Sequence, residues 1–431
     1  MLTYIKQYVH RARHPERYRL LQVLLNNQKL STDQLILKQQ QELSTIIRHA
    51  YNNSSYYHSK YSDGLNAEVL PILNKQEVVN HMEEILSRNV DKRFVSIGST
   101  SGSTGKPLSF YYDHHKHELM RAGMYRSYMG SGWRPGQKIL NFWGATQDIK
   151  QRNNITRKFH AYIAAEQTID AHEYNEEQLR SWSHYIQRYK PVLLQGYASI
   201  LAELSRYIIA HNIPIPKTIL GVFTTAEVLY DGQRKLIENA FCCKVFNQYG
   251  SREIPNIACE CKYGNHHVFT DMVYLESIVH NLENRLVVTS LTDKIMPFIR
   301  YDIGDSGKLK EGKCECGSPF PMMEMGLCRR NDLIKTPNGK NIHPSYFNSL
   351  LYGMTEIQHY QYVQDAPELI TLNVVSTIPI SAEKVSAIRE KILKDIDNNM
   401  KIKIHQVDEI KRSRSGKHRF VINNWSSTND Q

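Results

Sequence analysis

Long apolar stretches are missing from this chain of 431 residues. No apolar run approaches the roughly 18 residues that a membrane-spanning helix requires, so no transmembrane segment is expected. The basic N-terminal stretch, residues 1–21, has neither the apolar centre nor the small-residue cleavage site of a secretory signal peptide. Internal repeats are also missing. We therefore expect a cytoplasmic protein, with peripheral contact at the inner membrane face left open.

Cysteine is scarce and its count of seven is odd, which argues against the disulfide framework of a secreted protein. Four of the seven form two Cys-x-Cys pairs, and two adjacent histidines follow the first pair. Soft sulfur and imidazole ligands at such spacing are typical of a structural zinc site, with buried inert thiols as the alternative. The preferred ligands are Cys261, His267, Cys314 and Cys316, with Cys259 and His266 as substitutes.

Acidic residues are outnumbered, because 54 lysines and arginines stand against 43 aspartates and glutamates, a formal net charge of +11. A basic surface favours anionic partners such as nucleotides, CoA, nucleic acid or anionic lipid. Nucleic acid is the weakest of these candidates, because Glu260 and Glu315 lie beside the predicted zinc ligands. Hydrophobic residues make up 41% and charged residues 23%, a balance that excludes a disordered chain or a coiled coil.

The chain is too long for one ordinary domain, and its pattern changes along the sequence. From about residue 90 to 250, short apolar runs alternate with helical segments, which predicts a layered α/β domain with a mostly parallel sheet. From 267 to 310 the strands follow each other closely, which indicates an antiparallel or barrel-like subdomain. The predicted elements are strands at 138–143, 191–197, 218–225 and 244–250 and helices at 31–50, 176–189 and 230–241, the first begun by a Ser31/Gln34 capping box.

A compact α+β pattern follows after about residue 332. A strand at 369–376 precedes a helix from Ser381 to about Asn398, and a further strand begins at Lys401. Its length of roughly 100 residues is close to that of a common domain. We therefore predict two domains, a large N-terminal domain over residues 1–331 and a small C-terminal domain over residues 332–431.

The segment at 99–107, Ser-Thr-Ser-Gly-Ser-Thr-Gly-Lys-Pro, has the composition of a phosphate-binding loop. Glycines and small hydroxyl residues let backbone amides approach a polyphosphate, and Lys106 adds positive charge. A Walker P-loop is excluded, because Thr100 stands where its first glycine is needed and Pro107 stands where its magnesium-binding hydroxyl is needed. A surface loop rich in serine and glycine is the structural alternative.

This loop is the first of several motifs in which the chain resembles the adenylate-forming superfamily. Within it, the chain is similar to the phenylacetate–CoA ligases and CapK-like proteins from about residue 20 to 423. The run at 70–75, Leu-Pro-Ile-Leu-Asn-Lys, resembles the segment that precedes the loop in the family, and 196–199 resembles its Gly-Tyr-Pro-Ser element. The resemblance implies an α/β fold with a β-barrel-like subdomain and a small mobile C-terminal domain.

The remaining family motifs assign roles to single residues. Tyr249-Gly-Ser-Arg-Glu253 is similar to Tyr-Gly-x-Ser/Thr-Glu, whose aromatic ring packs on adenine and whose glutamate binds Mg²⁺; Arg252 stands in place of the family's hydroxyl residue. Residues 300–305 resemble the motif whose last aspartate binds the ribose. The nucleotide-binding residues implied by the resemblance are Ser101, Gly102, Ser103, Thr104, Gly105, Lys106, Ala226, Glu227, Gln248, Tyr249, Gly250, Asp305 and Arg329.

Residues 412–419, Arg-Ser-Arg-Ser-Gly-Lys-His-Arg, resemble the family loop whose lysine reaches the carboxylate and the α-phosphate. The resemblance therefore implies that Lys417 is catalytic together with Glu253. A cation between two anions stabilises the charge of the reacting groups. The alternative is a solvated basic patch, since the run would bind any polyanion.

The resemblance implies an AMP-forming ligase that uses ATP and Mg²⁺. It would activate a small carboxylic acid as an acyl-adenylate in the large ATP- and acyl-binding domain and pass the acyl group to CoA. One alternative acceptor is an amine or hydroxyl of a sugar in surface polysaccharide synthesis. Another alternative is a non-catalytic scaffold of the same fold. The sequence does not identify the acid, the acceptor or the oligomeric state. A homodimer is left open.

Two further patterns receive structural interpretations. The histidine-rich run Asp113–His117 is interpreted as the solvated start of a helix rather than as a ligand set. Cys242 and Cys243 are interpreted as small hydrophobic residues packed into the sheet.

Overall fold

A computed structural model gives the architecture of the chain. It describes residues 2–61, 70–100, 108–143, 165–171, 174–280, 283–329, 334–337, 341–342, 346–347, 350–351, 354, 356–376, 378–410 and 419–425. The chain divides into two compact units. The first comprises Met1–Ile303 and Gly307–Met325, and the second comprises Gly304–Ser306 and Gly326–Gln431. The predicted domain boundary between 331 and 332 lies outside the described residues and stays a prediction.

The N-terminal part of the first unit is helical. Pro15 occupies the first turn of the second helix, where its missing N–H has no helical partner to lose. The predicted Ser31/Gln34 capping box is present at the start of the third helix. The elements are α1 (Leu2–Arg13), α2 (Pro15–Asn27), α3 (Thr32–Asn53), α4 (Ser55–Lys60), α5 (Lys75–Asn80), α6 (Met82–Ile85), a 3₁₀ turn (Lys92–Phe94), the hairpin of β1 (Val95–Ser99) and β2 (Ser109–Asp113), and α7 (His114–Met129).

An 11-stranded sheet forms the centre of the architecture, in the order β10-β11-β12-β13-β9-β8-β7-β6-β5-β3-β4. The pairs β4/β3, β3/β5, β5/β6 and β6/β7 are parallel, whereas β8 and β9 continue the sheet in antiparallel fashion. The strands are β3 (Ile139–Trp143), β4 (Glu166–Asp170), β5 (Leu193–Gly196), β6 (Gly221–Thr225), β7 (Val245–Tyr249), β8 (Ala258–Glu260), β9 (His266–Val268), β10 (Val273–His280), β11 (Glu283–Ser290), β12 (Tyr301–Lys310) and β13 (Met322–Arg329).

The parallel strands alternate between two hydrophobic cores, because successive side chains point to opposite faces of a sheet. In β5, Leu193 belongs to the core that contains α2, α3 and α7, and Leu194 belongs to the core on the other face. Phe223 and Val222 divide in the same way in β6. The second core is covered by α8 (Glu176–Tyr189), α9 (Ala198–Ala210) and α10 (Asp231–Phe241).

The second unit contains a four-stranded sheet in the order β18-β17-β16-β19. Its strands enclose buried side chains that include Tyr362 and Ile370, and α11 packs Ile388 and Ile392 into the same core. The elements are β14 (Ile334–Lys335), β15 (Asn341–Ile342), β16 (Ile357–Ala366), β17 (Leu369–Ser376), α11 (Ala382–Asp395), β18 (Lys401–Gln406) and β19 (Val421–Asn423).

The predicted fold class is confirmed, and several predicted elements match within one or two residues. One side-chain prediction is wrong. Cys242 is exposed and ends α10 in the left-handed conformation, with φ of 51°, rather than packing into the sheet. None of the helices in the described ranges is long and apolar enough to cross a bilayer.

Candidate nucleotide and metal sites

The carboxyl ends of β6 and β7 lie side by side at one edge of the parallel sheet. The two strands pair so that Thr225 is opposite Gln248. Ala226 follows the last residue of β6 and Tyr249 is the last residue of β7, so both lie at the same edge of the sheet. Open α/β sheets bind ligands at this edge, where the strands end and the loops begin. The structure thus brings together five of the predicted nucleotide-binding residues, Ala226, Glu227, Gln248, Tyr249 and Gly250.

The backbone at this edge is specialised at two positions. Ala226 has a φ of 69°, a left-handed conformation that is uncommon for a residue with a side chain. Such strain occurs often at ligand-binding sites. Gly250 has no room for a side chain, because a Cβ atom there would lie 2.9 Å from the backbone nitrogen of Asn256. The glycine is therefore needed for the close turn that follows β7.

The side chains of Glu227 and Gln248 have defined partners within the protein. The carboxylate of Glu227 accepts hydrogen bonds from the backbone nitrogen of Ser199 at 2.8 Å and from its hydroxyl at 3.1 Å. It thereby stabilises the first turn of α9. The amide oxygen of Gln248 accepts a hydrogen bond from Gln195 at 2.9 Å, and the Tyr128 hydroxyl donates to Gln195 at 2.6 Å. The sequence interpretation did not single out Gln195 or Tyr128.

Glu253 lies in the tight turn after β7 and its side chain is buried. The turn is closed by two hydrogen bonds between Ser251 and Ile254. The Tyr301 hydroxyl donates to Oε1 of Glu253 at 3.2 Å. The other carboxylate oxygen, Oε2, is buried and has no hydrogen-bond partner among the described residues. A hard, unpartnered carboxylate oxygen fits the ligand preference of Mg²⁺.

Lys116 is buried beside Glu253, and the sequence interpretation missed it. Its ammonium donates to the backbone oxygen of Glu253 at 2.8 Å and pairs with the carboxylate of Asp293. The prediction of a solvated helix start is therefore wrong at this position, although Asp113 does cap α7. Burial raises the pKa of Asp293, and the Lys116 charge opposes that shift. A buried lysine paired with a carboxylate is a departure from the usual exposed state of both residue types.

Arg252 stands in place of the family's serine or threonine. It contacts the hairpin of β1 and β2, whose strands flank the predicted phosphate loop in sequence. Its guanidinium donates to the backbone oxygen of Ser99, the last residue of β1, at 3.1 Å. The turn that carries Glu253 is therefore joined to the strand that leads into residues 101–107.

Several predicted residues cannot be placed with these. Ser101, Gly102, Ser103, Thr104, Gly105 and Lys106 lie outside the described residues, and so does Lys417. Arg329 ends β13, and its side chain is not described. Asp305 is half-buried in β12, in the short piece of that strand that belongs to the second unit.

The four preferred zinc ligands form one cluster, with their ligand atoms all within 4.8 Å of one another. The sulfur atoms of Cys261 and Cys314 are 3.6 Å apart, and the sulfur of Cys316 is 3.2 Å from Nε2 of His267. A tetrahedral zinc ion with Zn–S bonds of about 2.3 Å requires sulfur atoms about 3.8 Å apart. The donor set and the spacing therefore fit a closed structural zinc site.

Neighbouring groups orient these ligands. Nδ1 of His267 lies 2.9 Å from the backbone oxygen of Phe320, so a proton on Nδ1 leaves Nε2 facing the sulfur atoms. The backbone nitrogen of Ser318 donates to the sulfur of Cys316. The two substitute ligands, Cys259 and His266, do not join the cluster. Cys259 is buried, and burial raises the pKa of its thiol to about 12.

Comparison with known proteins shows what the chain is similar to. Residues 334–424 match the family described as the CapK C-terminal domain. Over 366 residues the chain is 26% identical to the protein CapK of Staphylococcus aureus, covering 83% of this chain and 80% of that protein. It is 24% identical to the phenylacetate–coenzyme A ligase of Thermus thermophilus, covering 91% and 97% of the two chains. These matches confirm the predicted resemblance of the chain to the adenylate-forming superfamily, in the branch of CapK and the phenylacetate–CoA ligases.

The fold of the chain agrees with that of a solved CoA ligase. A 2-hydroxyisobutyryl-CoA ligase in its postadenylation state, in complex with an acyl-AMP, matches with a TM-score of 0.69 at 16% identity. The match covers 89% of this chain and 88% of that one. The predicted enzyme class, an AMP-forming ligase, is confirmed by these relatives.

Proposed function

We propose that this protein activates a carboxylic acid with ATP and transfers the acyl group to CoA. In the first step a carboxylate oxygen attacks the α-phosphorus of ATP, the bond to the bridging oxygen breaks, and pyrophosphate leaves. In the second step the CoA sulfur attacks the acyl carbon and AMP leaves. The observation that carries the proposal is the buried Glu253 carboxylate, with Oε2 unpartnered, directly after the sheet edge formed by β6 and β7.

The residues at this edge have properties that suit the first step. Tyr249 offers an aromatic ring for a purine at the end of β7, and Glu253 offers a carboxylate oxygen for a nucleotide-bound cation. Mg²⁺ bound there would neutralise charge on the phosphates. Lys417, in the second unit, is proposed to cancel charge between the attacking carboxylate and the α-phosphate. Residues 101–106, Asp305 and Arg329 remain predicted contacts of the phosphates and the ribose.

The test is ATP–pyrophosphate exchange with separate pools of aryl, fatty, amino and sugar acids. We expect exchange that depends on one pool, which also defines the class of the acid. Lys417→Ala and Glu253→Gln should each reduce the exchange by at least about 100-fold, as expected for loss of transition-state charge stabilisation.

A matched control separates catalysis from nonspecific binding of anions. Lys411 belongs to the same basic run as Lys417. Lys411→Ala removes the same charge and should leave exchange within about twofold of the wild type, a change of less than about 0.5 kcal/mol in the barrier. Equal losses in both variants would contradict the catalytic role of Lys417. Undiminished exchange in Lys417→Ala would contradict it as well.

A second acceptor is favoured by one observation, the match of residues 334–424 to the CapK C-terminal domain. The resemblance to CapK-like proteins implies a role in surface polysaccharide synthesis, where the acceptor would belong to a sugar. An amine or hydroxyl of a sugar is the alternative to CoA. Once the acid is known, AMP release can be measured with CoA or with amino sugars as the acceptor. Release that requires the sugar would replace CoA in the proposal.

We also propose that Cys261, His267, Cys314 and Cys316 hold one structural zinc ion. Elemental analysis of purified protein should give about one zinc per chain, as four ligands closing one tetrahedral site require. Cys314→Ser should lose the metal and lower the melting temperature. Cys242→Ser, a change at an exposed cysteine outside the cluster, is the matched control and should retain the zinc. Protein that is free of zinc and equally stable would contradict the proposal.

A further inference from the structure

Two hydrogen bonds fix Glu253 at two points in the structure. One bond is made to its carboxylate and the other to its backbone oxygen. We propose that Tyr301 and Lys116 are positioning residues that fix Glu253 so that Oε2 faces the nucleotide-bound metal. The inference rests on the proposed function, because it assumes that Glu253 binds the metal. Neither residue is predicted by the sequence motifs to have this role.

The first point is the hydrogen bond from the Tyr301 hydroxyl to Oε1 at 3.2 Å. Tyr301 is 2% exposed, so its hydroxyl is shielded from bulk water. A donor on one carboxylate oxygen fixes the rotation of the group and leaves the other oxygen for the metal. Groups that orient metal ligands in this way affect metal affinity strongly although they do not touch the metal.

The backbone on both sides of Tyr301 is fixed by hydrogen bonds to Leu73. The backbone nitrogen of Leu73 donates to the oxygen of Arg300 at 3.0 Å, and the nitrogen of Asp302 donates to the oxygen of Leu73 at 2.9 Å. These two bonds form a parallel bridge between Leu73 and Tyr301. The guanidinium of Arg300 also forms an ion pair with Glu276. The Leu-Pro-Ile-Leu-Asn-Lys run at 70–75 therefore fixes the backbone that presents the Tyr301 hydroxyl.

The second point is the hydrogen bond from the Lys116 ammonium to the backbone oxygen of Glu253 at 2.8 Å. The same ammonium pairs with Asp293, which also accepts a bond from the Met296 nitrogen at 3.3 Å. The ring of Phe298 lies 5.7 Å from the ammonium. The segment from 293 to 301 thus has Asp293 at one end and Tyr301 at the other, and both ends are linked to Glu253.

A residue that only stabilised the fold would affect nucleotide binding with and without a metal alike. A positioning residue changes metal binding alone. This difference separates the inference from a purely structural role for the two residues.

The experiment measures Mn²⁺ binding by electron paramagnetic resonance in the presence of a non-hydrolysable ATP analogue. Tyr301→Phe should weaken Mn²⁺ binding by about 10-fold or more, as losing an orienting partner does at other metal sites. Binding of the analogue without added divalent cation should stay within about twofold of the wild type. The double variant Lys116→Met/Asp293→Asn, which leaves no unpaired buried charge, should change Mn²⁺ binding in the same direction.

Tyr57→Phe is the matched control. Tyr57 is also buried and its hydroxyl donates to the oxygen of Pro297, in the same segment but away from Glu253. This variant should bind Mn²⁺ as the wild type does. Equal Mn²⁺ affinity in Tyr301→Phe and the wild type would overturn the inference, and so would equal losses in Tyr301→Phe and Tyr57→Phe.

Glu253→Gln distinguishes this failure from failure of the proposed function. If the wild type binds Mn²⁺ with the nucleotide and Glu253→Gln binds it equally, Glu253 is not the metal ligand and both proposals about it fall. If Glu253→Gln loses binding and Tyr301→Phe does not, only the positioning role falls.

Discussion

The helices on the two faces of the central sheet differ in what they bury. Helix α7 buries Lys116, Glu118 and Arg126, and each is paired with an opposite charge on another element. Within α8, α9 and α10, all of whose residues the structure describes, the buried side chains are apolar or small hydroxyl groups. The two faces therefore differ in how their helices are held against the sheet. One is held by apolar burial, and the other combines apolar burial with paired charges.

The difference coincides with the position of the candidate site. The partners of α7 include Asp293 and the backbone of Glu253, on the segments that present the unpartnered carboxylate oxygen. Buried ion pairs are weak evidence for stability, because the loss of hydration offsets most of the attraction between the charges. On this face each pair joins α7 to one particular segment of the chain, and it therefore fixes how α7 is oriented relative to that segment. These contacts are the basis of the positioning role proposed for Lys116.

The largest expected effect comes from breaking one pair on the charged face. Arg126 and Asp271 are 2.7 Å apart and almost completely buried. Arg126→Met leaves the Asp271 carboxylate buried without its cation. The free energy of unfolding should fall by about 3–5 kcal/mol. Denaturant unfolding of the purified variant measures the change.

Removing both charges tests whether the loss comes from the unpaired carboxylate. Arg126→Met/Asp271→Leu should recover most of the lost stability. On the other face, Leu201→Ala should lose about 2–5 kcal/mol through the cavity it leaves, with no partner change that restores it. A double variant as unstable as Arg126→Met would remove the distinction between the two faces.

The same comparison explains what the sequence could predict. Helix α8 was predicted with its observed bounds. Its apolar residues recur at helical spacing along one face, and its polar residues occupy the other. The cluster of Cys261, His267, Cys314 and Cys316 was also predicted residue by residue, because soft ligands are rare and their pairs are local in sequence, and its zinc stays a proposal. A motif of five residues singled out Glu253, which the structure buries after β7, and its role as a metal ligand stays a prediction.

Lys116 and Tyr301 were missed for a physical reason. Lys116 contacts Asp293 from 177 positions away, and Tyr301 contacts Glu253 from 48 positions away. Periodicity carries no information about such distant partners. A histidine-rich segment with a lysine resembles a solvated surface until the fold brings a carboxylate to it. The paired charges of α7 are therefore the part of the site that required the structure.

A smaller, pH-dependent effect is expected where α1 and α2 pack near α7. Burial, together with the charges of Arg17, His14 and Arg121, lowers the pKa of His10 from 6.5 to about 3, while Glu166 opposes the shift. Neutral His10 is thus favoured in the folded state, and its contribution is complete above pH 6.5 and is lost as the pH falls towards about 3. Between pH 7 and pH 5 the loss is about 2 kcal/mol.

His10→Gln should therefore reduce the difference in unfolding free energy between pH 7 and pH 5 by about 2 kcal/mol. The measurement is denaturant unfolding of both proteins at both pH values. His211→Gln is the control, because His211 follows α9 on the other face and about half of its side chain is exposed. The same pH dependence in His10→Gln as in the wild type would show that the charged face is not sensitive to acid at this residue.

The smallest expected effect lies on the apolar face, where Glu227 accepts two hydrogen bonds from Ser199 at the start of α9. Glu227→Gln keeps an acceptor but removes the negative charge from the positive end of the helix dipole. The free energy of unfolding should fall by about 0.3–1 kcal/mol. A loss comparable to that of Arg126→Met would mean that charge is as important on this face as on the other. Because Glu227 is also a predicted nucleotide-binding residue, ATP affinity should be measured on the same variant. Lower stability with unchanged affinity would assign its side chain to the helix and leave the nucleotide contact to the backbone of Ala226.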